Sequence, residues 1–144
     1  MKRLLAASLL AAFSTGWAAL GDPATPRGPA PGVTVATLRT PAGAAYTRVQ
    51  QRLDSGTTVS EYVDAQGIVF AVGWAGPFLP ELQALLGRHY ASFEQHAKAV
   101  GRSPSVVVRQ PGLVIVSSGR MGAFQGHAWL PAGLPLGFDT RGLQ

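Results

Sequence analysis

Three histidines, seven carboxylates and a handful of serines carry the reactive chemistry open to this chain, because it contains no cysteine. Without cysteine there is no disulfide, thiolate metal site, Cys nucleophile or redox pair. His89 and His96 lie seven residues apart in a helical pattern, so they share a face about 10 Å apart along the axis. Two ligands of one zinc ion must each sit about 2.1 Å from it, which this spacing opposes. Both rings are expected to cap the edge of a core with their polar tips. His127 falls in the last predicted strand, with Ser117 and Ser118 in the strand before it. A Ser–His pair for acyl transfer needs an approach of about 2.6–3.2 Å. With Arg120-Met121 as the hairpin turn, Ser118 faces Ala123, Ser117 faces Phe124 and His127 faces Val114. That leaves about 10 Å of strand between Ser117 and the position opposite His127. No Gly-x-Ser-x-Gly elbow is present.

Most carboxylates have a structural use. Asp54 and Asp64 read as turn residues, Glu81 as a charge at a helix N-terminus, and Glu94 as the i, i+4 partner of Lys98. Asp22 and Asp139 fall in coil. Glu61 alone sits in a strand, where it is expected to pair with Arg48 across the first hairpin. A glycosidase would need a second carboxylate about 5–9.5 Å away, and none is evident. Gly73-Trp74-Ala75-Gly76 is neither a dinucleotide fingerprint nor a P-loop. Trp74, Phe124 and Trp129 could stack on a sugar or a peptide, although strand aromatics mostly fill cores. Trp129 and His127, near a sheet end beside a tail, are the candidate ligand-binding residues. No catalytic residue, metal ligand or cofactor is assigned.

The elements that must position these residues follow from turn residues and apolar periodicity. Met1-Lys2-Arg3, the uncharged run Leu4–Phe13 and Gly16-Trp17-Ala18 have the three parts of a secretory signal peptide. Residues 1–18 are therefore expected to be removed after Ala18, with the product exported to the periplasm or the medium. The apolar run is shorter than the roughly 20 residues that span a bilayer, so no transmembrane segment is expected in the mature chain. Residues 19–45, with Pro23, Pro26, Pro29, Pro31 and Pro41, read as a mostly disordered lead, in which Val33–Leu38 could add an edge strand. Strands are expected over 46–53, 57–63 and 68–74, then 105–109, 113–118 and 123–130. In the third of these, Val63 is expected to face Ile68 and Val59 to face Val72, with Phe70 and Trp74 on one side. Between the two strand groups, Leu79, Leu82, Leu85, Leu86, Tyr90, Phe93, Ala97 and Val100 form one helical stripe. The stripe predicts a single amphipathic helix over about 79–100, bent at Gly87 and stopped by Gly101. The fold class is α+β: an antiparallel sheet from two strand groups, about 46–74 and 105–130, with that helix packed on it. Residues 46–131 form the single domain and 132–144 an extended tail over its surface.

Glu61-Tyr62-Val63-Asp64, Val69-Phe70-Ala71-Val72, Trp74, Gly76-Pro77 and Leu85-Leu86-Gly87 resemble a bacterial family of small exported proteins, domain of unknown function 2844. Ser118-Gly119, Met121, Phe124, Ala128 and Leu130-Pro131 extend the resemblance over nearly all of the chain after the Pro-rich lead. It implies a signal peptide and one small domain, and it carries over no activity, ligand or catalytic residue.

Charge narrows the partners. Loss of Lys2 and Arg3 leaves ten basic and seven acidic side chains, and the basic ones are scattered rather than interleaved with aromatics. Nucleic acid is therefore not an expected partner. The reading that remains is a non-enzymatic binding or structural module of the periplasm or cell envelope, with a protein or envelope component as partner. The alternative is a small hydrolase or small-ligand carrier using His127, Ser117 or Glu61.

Overall fold

The computed structural model describes residues 16–143. Local turn chemistry sets the strand ends. The Asp64 carboxylate accepts the N–H groups of Gln66 and Ile68, both at 2.9 Å, and Gly67 takes φ 83°. This turn joins β3 (Thr58–Val63) to β4 (Val69–Gly76). With β1 (Val33–Arg39), β2 (Ala45–Arg52), β5 (Ser105–Gln110), β6 (Leu113–Arg120) and β7 (Ala123–Trp129), they make one seven-stranded antiparallel sheet. The strand order is β1-β2-β3-β4-β7-β6-β5, which puts β4 at the centre.

Between β4 and β5 the chain forms a helical stretch of 19 residues, packed on one face of the sheet. It comprises α1 (Leu82–Leu86), a 3-10 turn at Gly87–His89, and α2 (Tyr90–Val100). The architecture is the expected α+β. The helix begins at Leu82 rather than 79, leaving Leu79 outside the buried stripe, and Gly101 (φ 65°) ends it. Gly87 breaks it with a positive φ of 54°, and a side chain is excluded there because a Cβ would lie 2.6 Å from the Ala19 methyl.

A β-bulge decides which residues face the helix. The β3–β4 register shifts between Tyr62, opposite Ala71, and Val63, opposite Val69, so Phe70 is the extra residue. Val69, Val72 and Trp74 therefore face the helix with Leu82, Leu85, Leu86 and Ile115. Phe70 and Ala71 face the opposite side. The expected pairing of Val63 with Ile68 and of Val59 with Val72, with Phe70 and Trp74 on one side, is corrected: Val59 opposes Trp74. The extra residue at a bulge alters the alternation that a plain strand would keep.

Two flanking segments complete the cores, and the first corrects the expectation of a disordered lead. Leu20 is fully buried in the helix-side core. Its N–H donates to Leu85 O at 2.9 Å, and the Gly21 N–H donates to Val69 O at 2.8 Å. Further on, Val33–Arg39 pairs along β2 as the edge strand β1. The Pro-rich segment is ordered because it inserts a leucine and borrows the sheet's hydrogen bonds. On the other face the C-terminal segment covers β2, β3 and β4. Phe138 sits edge-on to Phe70 and Tyr46, with ring centroids at 4.9 and 5.2 Å, and Leu143 is buried beside them.

Burial follows the strand order. Val69 to Val72 are fully enclosed, as a central strand covered twice must be. In β6, Ile115 is enclosed, whereas Val116 is only half-buried, because β6 is the penultimate strand and its tail-side face is less covered. Among the described residues no helix is long and apolar enough to cross a membrane.

Candidate functional site

Strand alternation places His127 and Trp129 together on the face away from the helix. Gly126 and Ala128 belong to the helix side, opposite Trp74 and Val72, so the residues between and after them point the other way. The two rings stack with centroids 5.5 Å apart and planes at 24°. Across β6 they oppose Val116 and Val114, which in turn oppose Val107 and Arg109 of β5. The C-terminal segment borders this strip: Trp129 packs against the core that holds Leu143, and Leu143 and Arg141 line a pocket of about 140 Å³ with Val116, Ser118, Gln125 and His127 among its other walls. Val107 is left exposed. Burial holds the His127 imidazole below its ordinary range, so it is neutral near pH 7 and can both donate and accept a hydrogen bond. The rim is ordered by Asp139, whose carboxylate accepts from Arg141 Nε and Nη2, each at 3.0 Å. These bonds hold the exposed Asp139 carboxyl below its usual range.

The hairpin register differs from the one expected. Met121-Gly122 is the two-residue turn, with Gly122 at φ 83°, and Arg120 pairs with Ala123. His127 therefore opposes Val116 rather than Val114, and Ser117 opposes Gly126. Ser117 faces the helix and His127 faces away, so the sheet itself separates them. Glu61 also faces the helix, as does its neighbour Val59 two residues earlier. The residues considered for a hydrolase do not converge.

Glu61 is 1% exposed, and its partner is Arg27 (3.3 Å) rather than Arg48. Arg48 pairs in register with Tyr62 and lies on the other face, while Glu61 opposes Val49. Arg27 Nη1 also donates to Gln51 Oε1 at 2.6 Å, and its guanidinium lies 4.5 Å from the centre of the Trp17 ring. Burial raises the Glu61 carboxyl above its ordinary value, against the opposing pulls of Arg27 and the Ala18 N–H. The network clamps the N-terminal segment onto the sheet. Sequence reasoning missed Arg27, although a signal was present: it is the only charged residue between Asp22 and Arg39.

The other two histidines are structural. His96 Nδ1 lies 2.8 Å from Ser92 O. His89 is half-buried, and burial and then Arg88 lower its pKa, partly offset by Asp22. No group of three or more His, Asp or Glu placed to hold a metal occurs among the described residues.

These features define a small α+β domain: one sheet clamped by its N-terminal segment and helix on one face, and partly covered by its C-terminal segment on the other. The model of the family described as protein of unknown function (DUF2844) matches residues 16–143. The chain belongs to that family. No curated protein and no solved structure matches it.

Proposed function

We propose that the protein is an exported, non-enzymatic binding module of the cell envelope, and that the strip around His127 and Trp129 is its contact surface. One observation carries the reading: a stacked, half-buried His–Trp pair at the border of the C-terminal segment's cover, on the strand next but one to that of exposed Val107. Flat aromatic surface with an apolar floor and polar ends suits a protein or glycan chain laid across strands. The pocket beside it, about 140 Å³, is smaller than the roughly 300–1,000 Å³ of sites that enclose a small molecule. This pocket therefore does not serve the carrier alternative. Export rests on the basic start and apolar run; residues 1–15 of that expected signal peptide lie outside the described residues.

A photoreactive residue at exposed Val107 tests the surface. Irradiated cells should yield a discrete adduct from the envelope fraction that disappears in Trp129→Ala. An adduct that survives Trp129→Ala, or none at all, overturns the reading. N-terminal sequencing of the same material should begin at Ala19, and an intact Met1 would refute export. Removal of Trp17 and Ala18 would take away the ring above Arg27 and one N–H from Glu61, so the position of the cut also bears on the clamp.

A further inference from the structure

The end of the sheet where β4 stops presents bulky apolar side chains on fixed backbone. Gly76 of β4 pairs with Phe124 of β7, and Arg120 pairs with Ala123. The Gly76–Leu79 exit and the Met121-Gly122 turn therefore lie side by side at this end. Phe78 is 60% exposed, Leu79 48% and Met121 95%. Both segments are held. The Phe78 N–H donates to Thr57 Oγ1 at 3.2 Å, and that hydroxyl donates back to Phe78 O at 2.6 Å. Thr57 is fully buried. Met121 sits on a two-residue turn, the shortest usual hairpin connection. An open cleft of about 710 Å³ runs beside these segments, with Pro77, Pro104, Arg120 and Phe124 among its walls.

The walls of the cleft carry Arg120 and no carboxylate. No Asp or Glu occurs from Gln95 to Phe138. Arg120 on the wall and Arg102, two residues before Pro104, join none of the ion pairs among the described residues. Asp54 in the β2–β3 turn and Glu81, three residues after Phe78, are carboxylates that flank this end, alongside Arg52, Arg102 and Arg120.

We propose that this end of the sheet docks on an anionic lipid surface, with Phe78, Leu79 and Met121 entering the interfacial layer and Arg102 and Arg120 meeting headgroup phosphates. Apolar side chains on two separate turns need no complementary shape in a lipid interface, whereas a protein partner would have to match both turns and the cleft between them. Apolar insertion plus attraction to anionic headgroups is the combination by which peripheral proteins hold a bilayer surface. The docking end adjoins the His127–Trp129 strip, since the cleft and the pocket beside His127 share Ala75, Ser118 and Gln125.

Vesicle flotation of the purified exported protein tests the proposal. The protein should float with phosphatidylcholine vesicles containing phosphatidylglycerol, less with phosphatidylcholine alone, and progressively less as salt rises. Phe78→Ser with Met121→Ser should reduce flotation about tenfold or more. Arg102→Gln with Arg120→Gln should reduce it to the level seen on neutral vesicles. All four positions are exposed, so unchanged melting temperatures should accompany these losses, and Met121→Ser alone serves if the double variant is unstable. No flotation at low salt, or flotation indifferent to the serine changes, overturns the proposal. Self-association that disappears in the serine variants, without flotation of the parent protein, overturns it in favour of a protein contact. Equal flotation on neutral and anionic vesicles overturns the role given to the arginines.

Discussion

Leu20→Ala tests whether the N-terminal segment is part of the core. Leu20 has no exposed surface and packs in the cluster with Leu85, Leu86 and Val69. Truncating such a leucine costs about 2–5 kcal/mol, more where the surroundings cannot collapse into the space left. Here they cannot collapse easily. The backbone at 20 and 21 is tied to Leu85 O and Val69 O at 2.9 and 2.8 Å, and the next residue toward the N-terminus, Ala19, is wedged against Gly87. A loss of about 3–4 kcal/mol is therefore expected. At about 4 °C per kcal/mol for a domain of this size, the melting temperature should fall by roughly 12–16 °C. Circular-dichroism melts and urea titrations of the purified protein would read it, with an unchanged urea m-value showing that the native state is otherwise intact. Leu136→Ala, at an exposed position, should stay within about 0.5 kcal/mol. A Leu20→Ala loss as small as that control would refute the reasoning and return the segment to a loose lead.

Glu61→Gln should remove a pH dependence. Because burial raises the folded carboxyl above its ordinary 4.5, the folded state holds the proton more tightly than the unfolded state. Stability is then lost as pH rises from about 4.5 through the raised value. The variant should gain on the parent protein between pH 4 and 7.5 in paired thermal melts; a gap that stays constant or moves the other way would contradict it. Trp74→Phe should cost no more than about 1 kcal/mol, because the Trp74 Nε1 has no partner among the described residues and removing an unsatisfied buried donor offsets lost contact area. A denaturation loss above about 3 kcal/mol would refute that offset. Gly126→Ala should be worse, at about 1–3 kcal/mol or more, because its Cβ would enter the Trp74 ring and stand 2.7 Å from Val116 O. Wild-type stability of that variant would show that β7 is free to shift.

Elements written in a few adjacent residues were legible in the chain. Asp64 to Gly67 encodes its own turn through the Asp carboxylate and a glycine, Gly101 stops the helix, and the Leu82–Leu86 stripe marks its buried face. These suffice for the α+β class and for two aromatic–imidazole neighbours on the last strand. Other features depended on distant partners. One extra residue at Phe70 put it in a different core from Trp74, and the β6–β7 turn at Met121-Gly122 set which residue His127 opposes. Alternation along a strand has a period of two residues, so the one-residue bulge reverses the side chains beyond it. The one-residue move of the hairpin turn instead slides the β6–β7 pairing by two and keeps each side chain on its face. Local propensity scarcely registers either change. Arg27 is an isolated cation in a Pro-rich run until the fold brings Glu61 and Gln51 to it. Residues 131–143 become a cover only when Phe138 meets Tyr46, Tyr62 and Phe70. Sequence alone determined what each short segment does by itself; the tertiary structure decided which faces meet, because burial and pairing depend on residues far apart in the chain.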